Sequence, residues 1–316
     1  MHAALVTSFD RPPRYTEVPD PVPRPGEVLV HVLAAGLHPR VRSGAAGTHY
    51  TSDGVLPLVP GFDGVGRAED GRRVFFAGLQ APRGSMAELV AVPVDRLVDL
   101  PDGLDDVTVA AAMNPAMSAW LALRHRADLR LGESVLVLGA TGNAGRLAVQ
   151  LARHLGAGRV VGAGRDLVSL EVVRRLGADA VVPLTADDVA ERLAREAADV
   201  DVVVDYVWGA PTETALAAVT GARTDPAHVL RWVHVGATAG PTITLPAATL
   251  RKTNVQVSGS GQGSVSPEGM VAAVRELAAL LPQVRPEVAV VATPLRDVEA
   301  AWGARTASGT RIVLVP

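Results

Sequence analysis

The 316-residue sequence contains no cysteine. This absence excludes disulfides, a thiolate nucleophile and every zinc site that is built from cysteine ligands. An excess of one charge is also missing, since 30 basic and 33 acidic residues are interspersed and give a net charge of −3. The sequence therefore offers no basic surface for nucleic acid and no cationic patch for an anionic membrane.

Long apolar runs are absent as well. No run reaches the roughly 18 residues that a membrane-spanning helix needs, and residues 1–10 lack the basic and apolar regions of a signal peptide. We therefore expect a cytoplasmic protein with no membrane partner. Apolar residues still make up 48% of the chain and charged residues 20%, so a large core can form, and the length fits about two domains.

A glycine-rich turn in the middle of the chain gives the clearest functional pattern. Residues 135–138 form an apolar run with the length and branching of a buried parallel strand. Gly139, Gly142 and Gly145 follow, and residues 144–155 are apolar at the 3.6-residue period of a helix that packs on a sheet. A second apolar run comes next. Strand, glycine turn, helix and strand in this order predict the phosphate-binding half of a dinucleotide fold.

The two ends of the chain differ from its middle. Residues 1 to about 117 are divided by proline and glycine and predict a β-rich module with strands at 3–6, 27–34, 63–67, 73–76 and 87–93. The middle predicts six strands at 135–138, 159–163, 180–182, 201–206, 229–235 and 254–258, with helices at 144–155, 168–176, 187–197 and 212–220. Such alternation is typical of an α/β fold with a doubly wound parallel sheet. The tail predicts a helix at 267–281 and a strand at 310–315, and we expect that strand to return to the first module.

Motifs along nearly the whole chain resemble the medium-chain dehydrogenase/reductase superfamily, and most closely its zinc-free quinone oxidoreductase-like branch. They are Pro-Arg-Pro-Gly-Glu-Val-Leu-Val-His-Val at 23–32, Ala-Gly-Leu-His-Pro at 35–39, Leu-Pro-Leu-Val-Pro-Gly-Phe-Asp-Gly-Val-Gly at 56–66, Gly-Arg-Arg-Val at 71–74, Gly-Ser-Met-Ala-Glu at 84–88, Asn-Pro-Ala-Met-Ser-Ala-Trp at 114–120, Leu-Gly-Ala-Asp at 176–179 and Arg-Ile-Val-Leu at 311–314. The resemblance implies a Rossmann cofactor domain at 119–258 and a discontinuous, β-rich GroES-like catalytic domain at 1–118 and 259–316. It also implies a homodimer that forms through residues 254–258.

The positions that hold catalytic zinc in alcohol dehydrogenases correspond by this resemblance to His38, Phe62 and Asn114. Phenylalanine cannot bind a metal and an amide is a poor zinc ligand, so we expect no metal, although His38 with Asp63 retains a weak capacity for one. Without zinc the reduction of an unactivated ketone loses its electrophile. A quinone or an enone spreads the developing charge by conjugation, and a hydrogen-bond donor with a proton source then suffices.

Three residues are candidates for the chemistry. Tyr50 lies where the resemblance places a tyrosine near the nicotinamide; it can donate a proton, pack against the cofactor or be an ordinary loop residue. His38 can orient substrate or donate a proton, or it can be a structural histidine that caps a loop. Asn114 can hydrogen-bond substrate or ribose, or it can be the N-cap of a helix that begins near Pro115. We assign no chemical role to Asp63.

Cofactor contacts are expected at the glycine turn, after the other strands of the sheet and, by resemblance, at Ser118. The set is Ser118, Gly139, Ala140, Thr141, Gly142, Asn143, Ala144, Gly145, Gly164, Arg165, Tyr206, Val207, Val235, Gly236, Ala237, Gly259 and Ser260. Ala140 occupies the first glycine position of the G-x-G-x-x-G frame. Arg165 stands where NAD-binding folds usually carry an acidic residue, so it favours the 2′-phosphate of NADPH; the alternative is a solvated surface arginine beside Asp166.

These features predict a zinc-independent oxidoreductase. It transfers hydride from NADPH to a quinone, enone or related conjugated acceptor, in a cleft between the two domains. A metal-free ketone or enoyl reductase of a biosynthetic pathway is the enzymatic alternative. An NADPH-binding redox sensor without turnover is the alternative from another class.

Overall fold

A computed structural model describes all residues from 1 to 316, and the chain forms two compact units. Residues 1–114 and 274–316 make unit 1, and residues 115–273 make unit 2. The first boundary lies inside a helix, close to the expected one after residue 118, and the second lies beyond the expected one after residue 258. No helix is both long and apolar enough to span a bilayer.

The elements are numbered in chain order. The strands are β1 (His2–Leu5), β2 (Arg14–Glu17), β3 (Glu27–Leu37), β4 (Asp63–Ala68), β5 (Arg73–Ala77), β6 (Leu89–Pro93), β7 (Leu97–Asp99), β8 (Ser134–Leu138), β9 (Arg159–Gly164), β10 (Ala180–Pro183), β11 (Val202–Asp205), β12 (Leu230–His234), β13 (Val255–Gly259), β14 (Ala289–Pro294) and β15 (Thr310–Val315). The helices are α1 (Pro39–Ala45), α2 (Asp106–Trp120), α3 (Asn143–His154), α4 (Leu167–Arg175), α5 (Val189–Ala197), α6 (Gly209–Ala222), α7 (Ala247–Lys252), α8 (Pro267–Val284) and α9 (Val298–Gly303).

Unit 1 is built on a mostly antiparallel sheet. Its strand order is β14-β15-β3-β4-β5-β7, and β6 pairs with β3 off this path. The final strand β15 runs antiparallel to β3, with Ile312 opposite Leu37, and its apolar residues 312–314 are buried. This pairing confirms the expectation that the last strand returns to the first module.

Unit 2 contains six parallel strands in the order β10-β9-β8-β11-β12-β13. Numbered within the unit, this is the order 3-2-1-4-5-6 of a dinucleotide-binding sheet, whose switch point lies between β8 and β11. The central strands are apolar throughout and fully buried, at residues 135–138 and 202–204. The predicted α/β architecture, a doubly wound parallel sheet with a separate β-rich module, is confirmed.

The helix before this sheet differs from the prediction. We expected a helix that begins near Pro115, but α2 starts at Asp106 and continues through Pro115. The Asp105 carboxylate accepts the backbone N–H of Thr108 at 2.9 Å, which caps the helix two turns earlier than expected. Asn114 therefore lies inside the helix, and the interpretation of Asn114 as an N-cap is wrong.

Candidate active site

Two of the three glycines in the turn are required by the packing of unit 2 itself. Gly139 has a φ of +85°, in the left-handed region that favours glycine. At Gly145 a Cβ would lie only 2.6 Å from the Cα of Ala140, so α3 could not pack so close to the turn. These two glycines have a structural explanation.

Gly142 has no such explanation. Its φ is −79° and its ψ is 168°, which any residue adopts. A Cβ at this position would come no closer to another atom than 3.6 Å, at the carbonyl oxygen of Gly139. The missing side chain leaves open space directly before the first turn of α3.

The N-terminus of α3 is not capped by a side chain. The first amides of a helix lack partners within the helix, and the macrodipole gives this end a partial positive charge. An open, uncapped start of a 12-residue helix, preceded by a glycine that the packing does not require, fits a phosphate group. The turn therefore fits the pyrophosphate of a dinucleotide.

The structure gathers the predicted cofactor residues of the sheet at one edge, because all six strands are parallel and these residues lie at or just after the carboxyl ends. Gly139–Gly145 follow β8, Gly164 and Arg165 end β9, Tyr206 and Val207 follow β11, Val235–Ala237 follow β12, and Gly259 and Ser260 end β13. Ser118 lies in α2, where its hydroxyl donates to the carbonyl of Pro115 at 2.8 Å. Whether these residues bind a cofactor stays a prediction.

Asp205 organises this edge and was missed in the sequence. Its buried carboxylate accepts the backbone N–H groups of Val207 at 2.9 Å and Trp208 at 3.1 Å. It also accepts the Thr212 hydroxyl at 2.7 Å and the indole N–H of Trp232 at 3.0 Å. Four donors fix the turn after β11, which positions the predicted contacts at 206 and 207. An aspartate that directly follows three buried valines was the only indication in the sequence.

Two further polar groups lie buried beside this turn, the hydroxyl of Tyr206 and Nδ1 of His234, and Nδ1 has no hydrogen-bond partner. Burial raises the pKa of the Tyr206 phenol, and a hydrogen bond with the Ser118 hydroxyl opposes this change. Burial lowers the pKa of His234, against the charge of Asp205. The His234 ring lies against Trp208 with centroids 4.2 Å apart, so both buried polar groups lie beside the predicted contacts.

Two oppositely charged residues, Arg165 and Asp166, follow β9 and have different environments. Asp166 is the N-cap of α4; its carboxylate accepts the N–H of Val168 at 3.1 Å and the hydroxyl of Ser169 at 2.6 Å. The Ser169 bond is the main reason why the pKa of Asp166 lies below its ordinary value. Arg165 is exposed. The carboxylate that could have accepted a ribose hydroxyl is thus engaged in capping a helix.

In unit 1, His38 forms a buried pair with Asp63. His38 Nε2 and Asp63 Oδ1 are 2.8 Å apart, and the two residues are only 2% and 1% exposed. The second carboxylate oxygen, Oδ2, is buried with no hydrogen-bond partner. No third His, Asp or Glu joins the pair to form a possible metal site. His38 stands at the N-cap position of α1, yet its side chain does not cap the helix.

A cation lies beside this pair. The guanidinium of Arg40 sits 3.6 Å above the ring of Phe62. Burial lowers the pKa of Arg40, and the charges of Asp63 and Tyr50 oppose this. Burial, followed by the charges of Arg40 and His38, also lowers the pKa of His49. The polar residues at the start of α1 and in the following loop therefore act on one another electrostatically.

The predicted catalytic residues have different environments in unit 1. Tyr50 is 72% exposed and its ring stacks on His49 with centroids 4.3 Å apart, whereas His38 is buried. Asn114 is half-buried inside α2. The ring of His38 is fixed by its carboxylate partner, Asp63.

The strand order of unit 2, the open turn before α3 and the predicted cofactor residues at the carboxyl ends of the strands are typical of a nucleotide-binding dehydrogenase or reductase. Comparison with known proteins agrees. The family model of zinc-binding dehydrogenases matches residues 144–279. A probable NADPH-dependent quinone reductase, tdiC of Emericella nidulans, is 33% identical over the full length of both chains.

Among solved structures, the quinone oxidoreductase from Thermus thermophilus, described also in complex with NADPH, is 31% identical. It superposes over the full length of both chains with a TM-score of 0.84. AibC, at 23% identity and a TM-score of 0.85 over 100% of this chain and 96% of its own, shares the fold. The chain belongs to the medium-chain dehydrogenase/reductase superfamily, in its quinone oxidoreductase-like branch.

Proposed function

We propose that this protein is an NADPH-dependent reductase of quinones, enones or related conjugated carbonyl compounds that works without a metal. The observation that carries the proposal is the open space that Gly142 leaves before the uncapped start of α3. Nothing in the protein's own packing requires a glycine there, whereas a pyrophosphate does. The full-length likeness to the NADPH-dependent quinone reductase of E. nidulans supports the cofactor and the acceptor class.

The residues of unit 2 have separable tasks in binding NADPH. The first-turn amides of α3, at Asn143, Ala144 and Gly145, hold the pyrophosphate. Arg165 is exposed and binds the 2′-phosphate with its guanidinium, while the Asp166 carboxylate is held by Val168 and Ser169 at the N-cap of α4. Asp205 keeps the turn at 206 and 207 in place for the rest of the cofactor.

The acceptor must be activated by conjugation, since unit 1 offers it no favourable place for a metal. The guanidinium of Arg40 over Phe62 puts positive charge beside His38 and Asp63, which disfavours a divalent cation there. Bound NADPH supplies the hydride. The proton comes from the protein, for which His38 and Tyr50 are the candidates, while Asn114 can hydrogen-bond the substrate.

The test is steady-state oxidation of NADPH by the full chain with a small quinone and, separately, with a small enone, after treatment with a chelator. We expect turnover with at least one acceptor at the same rate before and after chelation, and slower turnover with NADH. Tight NADPH binding without turnover of either acceptor would contradict the proposal. So would activity that returns only when zinc is added.

For the assembly we propose a homodimer, in the cytoplasm, where NADPH is available. Strand β13 is the last strand of the six-stranded sheet, and its residue Val257 is exposed. An exposed sheet edge tends to be paired or covered, and pairing with a second β13 achieves this. Light scattering that gives the mass of a monomer at micromolar concentration would contradict the dimer.

A further inference from the structure

His38 differs from an ordinary buried histidine because its ring is paired with the buried carboxylate of Asp63. Taking a carboxylate out of water is costly unless it is paired. Asp63, at the start of β4, is only 1% exposed. Its own backbone is fixed, because the Ser85 hydroxyl donates to the Asp63 carbonyl at 2.6 Å. His38 stands at the N-cap position of α1, but its side chain makes no cap bond to that helix and contacts Asp63 instead.

The contact determines which ring nitrogen carries the hydrogen. An ionised carboxylate can only accept, so Nε2 of His38 must donate to Oδ1 of Asp63 at 2.8 Å. The other ring nitrogen, Nδ1, is left as the atom that can exchange a proton. In a histidine–carboxylate pair the carboxylate sets the tautomer and stabilises the protonated ring.

We propose that Asp63 is a positioning residue that accepts Nε2–H of His38 in both the neutral and the protonated ring, so that Nδ1 is the atom that takes up a proton and, from the protonated ring, delivers it to the reduced acceptor. This rests on the proposed function. It narrows the two candidate acids, His38 and Tyr50, to His38 and gives a role to Asp63, for which the sequence provided none.

Two arginines act electrostatically on Asp63. Arg311 on β15 is buried; burial lowers its pKa to about 10, and the charge of Asp63 opposes this. Arg40 on α1 is influenced by Asp63 in the same direction. Arg40, Arg311 and the His38 ring act directly on the Asp63 carboxylate. Tyr50 and His49 act in turn on or with Arg40, and Arg42 acts on Arg311.

The step balances without a further reactant. The acceptor takes two electrons and one hydrogen as hydride from the nicotinamide, which becomes oxidised. The anionic oxygen of the enolate or of the hydroquinone monoanion then forms a bond to the proton on Nδ1 of the protonated His38 ring, and the Nδ1–H bond breaks. His38 becomes neutral while Nε2–H still donates to Asp63, and water returns the proton to Nδ1.

The first test is the tautomer of His38, read from the ring ¹⁵N shifts of protein labelled at histidine, with the His38 signals assigned by their loss in His38→Gln. We expect the Nε2–H form for the neutral ring in the wild type and a shift toward the Nδ1–H form in Asp63→Asn. Exposed Asp95, also in unit 1, provides the matched control: Asp95→Asn should leave the signals unchanged. An Nδ1–H form in the wild type, or an unchanged form in Asp63→Asn, would overturn the proposal.

The second test is kinetic. General acids contribute roughly 10²- to 10⁴-fold, so we expect kcat to fall by about 10- to 100-fold in Asp63→Asn, with a larger solvent isotope effect and an unchanged Kd for NADPH. His38→Gln should lower kcat by about 100-fold, and the double variant should be no slower than His38→Gln alone. Asp63→Glu should restore part of kcat.

The kinetic arm separates the two proposals. If the wild type reduces no conjugated acceptor, the proposed function fails, while the tautomer still decides whether Asp63 sets the state of His38. If Asp63→Asn does not fold, His38→Gln decides: unchanged kcat and an unchanged isotope effect in that variant would overturn the assignment.

Discussion

The open turn before α3 makes a sharp prediction for Gly142→Ala. The new Cβ meets no protein atom closer than 3.6 Å and the φ of −79° suits alanine, so the fold should tolerate it. Alanine is a poorer N-cap than glycine by about 0.5–1 kcal/mol, and the reduced freedom of the unfolded chain offsets about 0.4–1 kcal/mol. The free energy of unfolding should therefore change by less than about 1 kcal/mol.

The same methyl group occupies the place that we assign to the pyrophosphate. Losing one charge-assisted hydrogen bond costs about 1.5–3 kcal/mol, which raises the Kd for NADPH by roughly 10- to 150-fold. The assay pairs urea unfolding with a titration of NADPH fluorescence on the same preparation. Gly145→Ala gives the contrasting case: its Cβ would lie 2.6 Å from the Cα of Ala140, so we expect a loss of about 2–3 kcal/mol in stability.

Gly221→Ala is the matched control. Gly221 lies near the end of α6 with no atom within 4 Å of a Cβ, so the substitution should leave NADPH binding unchanged and stabilise the helix by up to about 1 kcal/mol. If Gly142→Ala is folded and binds NADPH as the wild type does, the helix N-terminus does not hold the pyrophosphate. If it unfolds as readily as Gly145→Ala, the glycine is structural and the reasoning fails.

Three further substitutions test other parts of the account. Arg165→Gln should raise the Kd for NADPH about tenfold or more and leave that for NADH unchanged, because only the 2′-phosphate bond is lost; equal changes in both titrations would contradict this. Asp205→Asn should lower the free energy of unfolding by about 2–4 kcal/mol in urea, since an amide cannot accept all four donors; an unchanged midpoint would contradict its role in the turn. The N–H of Thr224 at 2.9 Å and then its hydroxyl hold the pKa of Asp199 below the ordinary value. As pH falls, Asp199 is therefore protonated at a higher pH in the unfolded chain than in the folded one. Its ionised form contributes to the free energy of unfolding above about pH 4, and this contribution is lost as pH falls through the lower pKa of the folded state. The thermal midpoint of Asp199→Asn should fall less steeply with acid than that of the wild type, and an equal slope would contradict this.

The parts of the site that the sequence predicts are those whose determinants are local. The glycine turn could be predicted because strand, turn and helix follow one another within a few residues, and each leaves its own period of apolar residues. The return of β15 to the first module could be predicted because that strand follows the six strands that complete the parallel sheet. The homodimer and the individual cofactor contacts stay predictions.

The parts that could not be predicted depend on contacts between distant residues. Asp205 binds Trp232 because β11 and β12 pair in parallel, with Val204 opposite Val233. Asp63 meets His38 across 25 residues of chain, and the sequence named the two together only as a weak metal site, with no chemical role for Asp63. The contacts that these two carboxylates make could therefore not be predicted from the sequence.

The helix around Asn114 was mispredicted for a different reason. Proline is favoured at the first turn of a helix, so an asparagine before Pro115 suggested a start. The true start at Asp106 follows a capping aspartate, and the tertiary context carries the helix through the proline.

The most direct measurement of the central claim follows a deuterium atom. Protein treated with a chelator is incubated with a small enone and with NADPH that carries deuterium at C4 of the nicotinamide. Two samples of NADPH are used, one labelled on each face of the ring, and the product is analysed by mass spectrometry and NMR. The account predicts one deuterium at the β-carbon from one of the two faces, at a rate that added zinc does not raise. Product without deuterium from either face, or labelled product only after zinc is restored, would contradict it.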